Sequence, residues 1–115
     1  MHDKLDEMFE LQRNLMSRLQ VGTVQDEFEE TLTKHTVYTS TALVDEVHEF
    51  LRELNWKPWK KTRKEVDMAR VHDELADCWH FLIELSLMWG LNEQKIIEAF
   101  RNKNKVNHKR QDGGY

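Results

Sequence analysis

The sequence predicts an all-α fold, a compact bundle of about four to five helices that forms a single domain over residues 1–115. The first observation is that one proline and four glycines are few for a fold rich in β-turns. The second is the supply of strong helix formers such as Leu, Glu, Lys and Met. The third is that apolar residues recur at helical spacing along most of the chain. With 39% hydrophobic and 33% charged residues, the chain is globular rather than disordered.

The first helix is predicted over residues 3–19, where apolar side chains recur on one helix face. Gln12 falls within this apolar stripe, so a polar amide is expected among core side chains. Gly22 and Thr23 indicate a break after the helix. The stripe consists of Leu5, Met8, Leu15 and Leu19.

The middle of the chain is predicted to hold a short helix over residues 25–34 and a longer one over residues 42–54. Between them, residues 36–41 are polar and β-branched and give weak helical signals. We expect this stretch to be a connection, with Ser40 or Thr41 as the N-cap of the longer helix.

The core helix is predicted over residues 64–89, after Pro58 has ended the preceding helix. Its second half is apolar nearly all round, which indicates burial by neighbouring helices or by a second subunit. Gly90 is the expected C-cap, and Asn92 is the expected N-cap of a last helix. One narrow strip of the core helix is polar, and it consists of Asp73, Asp77, His80 and Glu84.

Charge and cysteine content narrow the possible environments of the chain. The net charge is −4, and the single cysteine, Cys78, excludes an intramolecular disulfide and fits a reducing compartment. Because Cys78 lies in an apolar helix, we expect a buried, inert thiol. No apolar segment reaches the length of about 18–20 residues that crosses a bilayer. The sequence therefore predicts a cytoplasmic protein without a membrane partner.

Two acidic couplets are the most informative motif. Glu46 and Glu49 are three residues apart, as are Glu74 and Asp77, so each pair shares one helix face. If the two helices pack together, four carboxylates meet, and such oxygen clusters suit Mg²⁺. Similar pairs occur elsewhere in the chain, and ordinary surface salt bridges are the alternative from spacing alone.

Polar and basic residues near the C-terminus indicate an anion site. Lys103, Asn107 and Arg110 share one face of the last helix, where apolar residues would otherwise continue. The alternative is a frayed, solvated C-terminus. Lys57 belongs to a second basic cluster that could meet phosphates or nucleic acid. In an acidic chain with a carboxylate centre, a small anion held through a metal is favoured over nucleic acid.

Three further side chains are candidates for binding a base. Gln12 offers an amide that can donate and accept, and Trp56 offers a ring for stacking. The alternatives are a hydrogen-bonded core glutamine and an aromatic hinge packed on the core. His80 has no second histidine or cysteine at metal spacing, so a zinc site is not expected. A histidine whose hydrogen bonds are satisfied beside the carboxylates is the competing interpretation.

Together these motifs resemble the MazG-like superfamily of all-α nucleotide pyrophosphatases, and within it the dimeric dUTPases. The superfamily pattern is E-x-x-E followed by E-x-x-D, and Leu11-Gln12 resembles the uracil-contacting pair of the family. The tail is the strongest single match to the family pattern K-N-x-x-N-x-x-R-Q-x-x-G-Y. The matching segments are Glu46-Val47-His48-Glu49, Glu74-Leu75-Ala76-Asp77, Asn55-Trp56-Lys57-Pro58-Trp59-Lys60, Asp77-Cys78-Trp79-His80-Phe81 and the run from Lys103 to Tyr115.

The resemblance implies a homodimer that hydrolyses dUTP, and also dUDP, to dUMP with two or three Mg²⁺ ions, for which Mn²⁺ could substitute. Glu49 would be both a metal ligand and the carboxylate that orients or deprotonates the attacking water. Three classes of site residue are implied. The metal ligands would be Glu46, Glu49, Glu74 and Asp77; the phosphate-binding residues Lys103, Asn107, Arg110 and, more weakly, Lys57 and Tyr115; the base-binding residues Gln12, Trp56 and His80.

Other functions remain open at this point. A pyrophosphatase of the same fold could act on another nucleotide, such as dCTP or a modified nucleotide, because metal and phosphate residues would be shared. A nucleic-acid-binding or regulatory helical dimer would use the basic clusters instead. A non-catalytic dimerisation module would leave the carboxylates dispensable.

Overall fold

The computed structural model describes residues 3–22 and 29–114. Helices account for most of this part of the chain: α1 (Lys4–Leu19), α2 (Glu29–Arg52), α3 (Met68–Met88) and α4 (Glu93–Asp112). Within those ranges there is no strand, so the predicted all-α fold is confirmed. The predicted break at Thr23 and the start of the predicted helix over residues 25–34 lie outside the described residues.

Helix α1 forms where its apolar stripe predicts it, and a capping box begins it. The Asp6 backbone N–H donates to the Asp3 carboxylate at 2.9 Å, and the Asp3 N–H donates to the Asp6 carboxylate at 3.2 Å. These reciprocal bonds satisfy backbone donors that the first turn leaves without helical partners. The helix ends at Leu19, and the C-cap Gln20 has a left-handed φ of 59°.

Helix α2 is continuous through residues 36–41, so the predicted connection and the N-cap at Ser40 or Thr41 were wrong. The hydroxyl of Thr36 donates to the Leu32 carbonyl at 2.7 Å, and that of Thr41 donates to the Val37 carbonyl at 2.7 Å. Threonine hydroxyls bonded back one turn are compatible with a helix interior. Packing against α3 therefore outweighs the weak local helix propensity of this stretch.

Helix α3 begins at Met68, four residues later than predicted, because two side chains hold the preceding segment in a loop. Asn55 receives the Lys64 backbone N–H at 3.0 Å and donates to the Lys64 carbonyl at 2.9 Å. Asp67 then caps the helix by accepting from the N–H groups of Ala69 and Arg70. The two hydrogen bonds from Asn55 thus hold Lys64 in the loop, outside the helix.

The turn between α3 and α4 follows the prediction with a shift of one residue. Trp89 is the C-cap of α3, and Gly90, the predicted cap, comes next with a left-handed φ of 80°. Glycine adopts that conformation without the steric cost of a Cβ atom. The predicted N-cap at Asn92 is confirmed, since its side chain accepts from the Lys95 N–H at 2.9 Å.

The core lies where α1, α2 and α3 meet. Trp89 at the end of α3 donates through Nε1 to the Thr36 hydroxyl of α2 at 2.8 Å, and Arg13 of α1 makes a two-point ion pair with Glu93 of α4. No helix among the described residues is long and apolar enough to cross a membrane. The buried apolar cluster consists of Phe9, Met16, Leu32, Ile83, Leu87 and Met88.

Candidate metal and nucleotide site

The packing of α2 on α3 brings three of the four predicted carboxylates together. Glu46 of α2 and Glu74 and Asp77 of α3 each offer an oxygen atom, and these atoms all lie within 4.8 Å of one another. All three residues are half-buried. Helical spacing places Glu74 and Asp77 on the same face of α3, and the long α2 brings Glu46 opposite them.

The electrostatics of this carboxylate cluster favour a bound cation. Burial raises the pKa of Glu46, and the neighbouring carboxylates of Asp77 and Glu74 raise it further. Carboxylates that share a site repel one another, and a positive charge between them would relieve that repulsion. A hard divalent cation would supply that charge and accept the oxygen ligands it prefers. The residues present therefore fit Mg²⁺ or Mn²⁺.

Glu49, the fourth predicted ligand, is not part of the cluster. Its Oε1 accepts a hydrogen bond from Arg52 Nη1 at 2.5 Å, three residues later on α2. The two side chains are 42% and 62% exposed, respectively, so this is a surface ion pair. Such pairs contribute about 0.3–0.5 kcal/mol, which makes the Glu49 carboxylate easy to redirect. Arg52 is a neighbour of the acidic couplet that the sequence analysis did not single out, although its i,i+3 spacing from Glu49 is typical of such a pair.

Two of the predicted base-binding residues, Gln12 and His80, form a hydrogen bond with each other. The Oε1 atom of Gln12 lies 2.6 Å from Nδ1 of His80. Gln12 is 3% exposed, so the glutamine on the apolar stripe is a buried one, whereas His80 is exposed. His80 lines a largely apolar groove between α1 and α3 with a volume of about 200 Å³. The other lining residues are Met8, Leu11, Ala76, Trp79 and Ile83.

Trp56, the third predicted base-binding residue, lies at a different cavity. Its ring meets that of Trp59 edge-to-face at a centroid distance of 5.8 Å, and Lys57 Nζ lies 5.6 Å from the Trp56 centroid. This cavity of about 290 Å³ is basic and is formed by the end of α2 and the following loop. Its lining residues are Arg52, Leu54, Asn55, Trp56, Lys57, Lys60, Thr62, Arg63 and Lys64.

Arg52 links this basic cavity to the carboxylate side of α2. It lines the cavity and also pairs with Glu49, one turn beyond Glu46. The chain therefore places cationic side chains next to the acidic couplet of α2. An anion that bridges the two would meet metal-binding oxygens on one side and guanidinium and ammonium donors on the other.

The predicted phosphate-binding residues of the tail lie in the second half of α4. Lys103, Asn107 and Arg110 are all exposed. Helix α4 packs against the rest of the bundle through its first half, where Ile96 contacts the core and Glu93 pairs with Arg13. The placement of these residues on substrate phosphates thus stays a prediction. Tyr115 lies outside the described residues.

The predicted buried and inert cysteine is half-buried beside the carboxylate cluster. Burial raises the pKa of the Cys78 thiol, and the Glu46 and Asp77 carboxylates raise it further. Each of these effects disfavours the thiolate, which is the reactive form. The environment of Cys78 therefore agrees with an unreactive thiol.

Comparison with known proteins points to nucleotide hydrolysis. The sequence model of the dUTPase family matches residues 4–89, which span α1 to α3 and include both acidic couplets. The chain is 30% identical over 111 residues to a dCTP pyrophosphatase of Enterobacteria phage T4, covering 85% of this chain and 60% of that protein. It is 32% identical over 71 residues to a dCTP pyrophosphatase of Enterobacteria phage LZ5, covering 52% of this chain and 41% of that protein. No solved structure matches the chain significantly.

Proposed function

This chain belongs to the dUTPase family, and we propose on that basis that it is a Mg²⁺-dependent nucleotide pyrophosphohydrolase that converts dUTP, and also dUDP, to dUMP. The observation that carries the proposal is the convergence of Glu46, Glu74 and Asp77 within 4.8 Å across two helices. The chain spans only 60% of the length of the T4 relative, so the activity is inferred from the site that this part contains.

The carboxylate cluster would hold the metal, with Glu49 joining it after leaving Arg52. Two or three divalent ions held there would supply a water of lowered pKa and neutralise charge growing on the phosphates. Glu49 is the best candidate to orient or deprotonate that water, since its carboxylate has only a surface ion pair to give up. A general base must lie within hydrogen-bond reach of the proton that it removes. Glu49 lies one helical turn from the proposed ligand Glu46, which would place it near a metal-bound water.

The phosphates would be held by the basic side chains around the cluster. Lys57 at the basic cavity and the tail residues Lys103, Asn107 and Arg110 are the proposed contacts. If Glu49 held the metal, Arg52, which lines the same cavity, would be without its ion-pair partner. A guanidinium group can donate two parallel hydrogen bonds to a phosphate, which makes Arg52 an additional phosphate contact.

A second copy of the chain is the proposed partner. Several exposed apolar side chains of α1 and α3 lie outside the groove beside His80 and remain uncovered in one chain, and burying them would be favourable. The radius of gyration is 17.5 Å, whereas a compact domain of about 100 residues has about 13 Å. A homodimer would cover these faces, and each copy could then help to complete the other's site. These residues include Leu15, Leu19, Leu75 and Leu82.

dCTP is the second candidate substrate. Two phage relatives that match the chain are described as dCTP pyrophosphatases. Uracil and cytosine differ only at the N3–C4 edge, so the same groove beside His80 could take either base. A modified pyrimidine nucleotide belongs to the same alternative.

The reducing environment suggested by a lone cysteine is consistent with the cytoplasm, where nucleoside triphosphates occur.

The proposal is tested by incubating the chain with each dNTP, with dUDP and with one modified pyrimidine triphosphate, in Mg²⁺, in Mn²⁺ and in EDTA. We expect dUMP and pyrophosphate from dUTP, with no turnover in EDTA. Faster hydrolysis of dCTP would favour the second candidate. Salt-sensitive binding to DNA without Mg²⁺, together with no hydrolysis of any nucleotide, would instead support a nucleic-acid-binding protein.

A further inference from the structure

Helix α4 is anchored to the rest of the bundle near its start. Ile96 packs against the buried core cluster, and Ile97 beside it is half-buried. Every residue from 98 to 114 is exposed, so most of this 20-residue helix projects beyond its first turns. The direction of the whole helix therefore depends on the few contacts that its first residues make.

One of these contacts is an ion pair between α1 and α4. Arg13 Nη1 donates to Glu93 Oε2 at 2.9 Å, and Arg13 Nη2 donates to the other carboxylate oxygen, Oε1. The two side chains are 36% and 21% exposed, so water shields the pair only in part. A guanidinium that donates to both oxygens fixes the orientation of the carboxylate as well as its distance.

The side of α4 that begins at Glu93 also carries the predicted phosphate contacts. At about 100° per residue, Glu93, Ile96 and Asn107 lie within roughly 60° of one another around the helix axis. Lys103 and Arg110 lie within about 40° of Ile96 on the same count. The rotation of the helix at Glu93 therefore determines which way these donors face.

The length of α4 amplifies any change in its direction. Arg110 follows Glu93 by 17 residues, and at 1.5 Å per residue the rise between them is about 26 Å. A tilt of about 15° at Glu93 would move Arg110 by roughly 7 Å, more than twice the length of a hydrogen bond. The apolar contact of Ile96 is not directional and would permit such a tilt. The two-point ion pair opposes it.

We propose that Arg13 and Glu93 are positioning residues whose ion pair sets the direction and rotation of α4, so that the donors of its second half reach the phosphates of the substrate. The inference rests on the proposed function, which assigns Lys103, Asn107 and Arg110 to those phosphates. Neither member of the pair contacts the substrate itself. The pair should therefore matter for binding a nucleoside triphosphate and much less for a nucleoside monophosphate.

A double-mutant cycle tests whether the two residues act as a unit. Binding of Mg²⁺ and a non-hydrolysable dUTP analogue, measured by isothermal titration, should weaken about fivefold in Arg13→Gln, in Glu93→Gln and in the double variant. Binding of dUMP should stay at the wild-type value in all three. Arg18→Gln is the matched control, because it removes the same charge from an exposed position of α1.

Three results of this cycle would contradict the inference. The first is equal affinity of Arg13→Gln and Arg18→Gln for the analogue. The second is a loss of about twenty-fivefold in the double variant, since independent effects multiply. The third is an equal loss of dUMP binding, which would show general damage to the fold and no specific effect on the phosphates.

Residual dipolar couplings measure the direction of α4 without nucleotide or catalysis. In the wild type, the backbone N–H couplings of residues 94–102 should fit the same alignment as those of α1, α2 and α3. They should shrink in Arg13→Gln, because the helix then samples several directions, and stay unchanged in Arg18→Gln. Equal couplings in the wild type and Arg13→Gln would overturn the inference. If they shrink as expected but the wild type hydrolyses no nucleotide, the proposed function fails while the role of the pair in directing α4 stands.

Discussion

Glu49 accepts a hydrogen bond from Arg52 at 2.5 Å, whereas Glu46, one turn earlier on the same helix, joins the carboxylates of α3. The two members of one acidic couplet thus have opposite environments. Glu46 shares a half-buried site with like charges, and Glu49 is neutralised by a cation at the surface. In the proposed function, Glu49 would join Glu46, Glu74 and Asp77 in holding a divalent cation and would leave Arg52 to do so.

Removing Arg52 should therefore tighten metal binding. In Arg52→Gln the Glu49 carboxylate no longer has to give up an ion pair, and we expect the Mg²⁺ dissociation constant to fall roughly twofold, the size expected for an exposed helical pair. Isothermal titration of the nucleotide-free protein measures this. Arg70→Gln is the control, because Arg70 has the same spacing from its partner Asp67 at 3.9 Å. Weaker Mg²⁺ binding in Arg52→Gln would contradict the idea that the Arg52 guanidinium competes with Mg²⁺ for the Glu49 carboxylate.

The pH dependence of stability should reveal the crowded carboxylates. Because the pKa of Glu46 is raised above its ordinary value of 4.5, the folded protein binds a proton more tightly than the unfolded chain between 4.5 and that raised pKa. The free energy of unfolding in EDTA should therefore fall as the pH rises through this window and then level off. Glu46→Gln should lack that decline, whereas the exposed control Glu30→Gln should keep it. Identical pH profiles for wild type and Glu46→Gln would exclude the effect.

Much of this fold could be predicted because helical periodicity is local. The existence of α1 and the cap at Asn92 depend on neighbours a few residues away, and both predictions were confirmed. The predicted apolar stripe of α1 was wrong in part, since Met8, Leu15 and Leu19 are exposed and Phe9 and Met16 are buried instead. The continuity of α2 through residues 36–41 could not be predicted, since packing on α3 decides it. The late start of α3 could not be predicted either, because it depends on two hydrogen bonds between the Asn55 side chain and the backbone of Lys64, nine residues away.

The candidate site also has features that residue spacing predicts and features that depend on packing. The spacing of Glu74 and Asp77 predicts that they share a helix face, and the packed structure adds Glu46. The spacing of residues along the sequence does not determine which way a side chain points, so the pairing of Glu49 with Arg52 was missed. The polar strip containing His80 and Glu84 was visible in the sequence, but the burial of Glu84 arises only when α1 and α2 pack on α3.

The uncovered faces of α1 and α3 should hold two copies together. Leu82 is 48% exposed on α3, and a lysine there would place a charge inside the proposed interface. We expect Leu82→Lys to shift the protein from dimer to monomer in analytical ultracentrifugation. Trp59→Lys is the control, since Trp59 is 67% exposed in the loop that precedes α3. A dimer unaffected by Leu82→Lys would place the interface elsewhere.

The second half of α4 should respond to substrate. Arg110→Ala should reduce the turnover of dUTP strongly while leaving the melting temperature of the ligand-free protein nearly unchanged, because the tail contributes little to the core. Arg101→Ala is the control: nine residues earlier, it lies on the opposite helix face. Hydrogen exchange over residues 103–114 should slow when Mg²⁺ and a non-hydrolysable dUTP analogue bind. Equal exchange with and without the analogue would show that the tail does not close over phosphates.

The central claim is that the carboxylates joining α2 and α3 carry metal-dependent nucleotide hydrolysis. The most direct measurement is the Mg²⁺ dependence of dUTP turnover in wild type, Asp77→Asn and Asp73→Asn, with helicity and dimerisation checked in each. Asp73 is an exposed aspartate one turn before Asp77 and outside the carboxylate cluster. We predict that Asp77→Asn lowers turnover by at least roughly a hundredfold, since it would remove a proposed ligand of the catalytic metal, while Asp73→Asn stays near wild type. Near-wild-type turnover in Asp77→Asn would contradict the account.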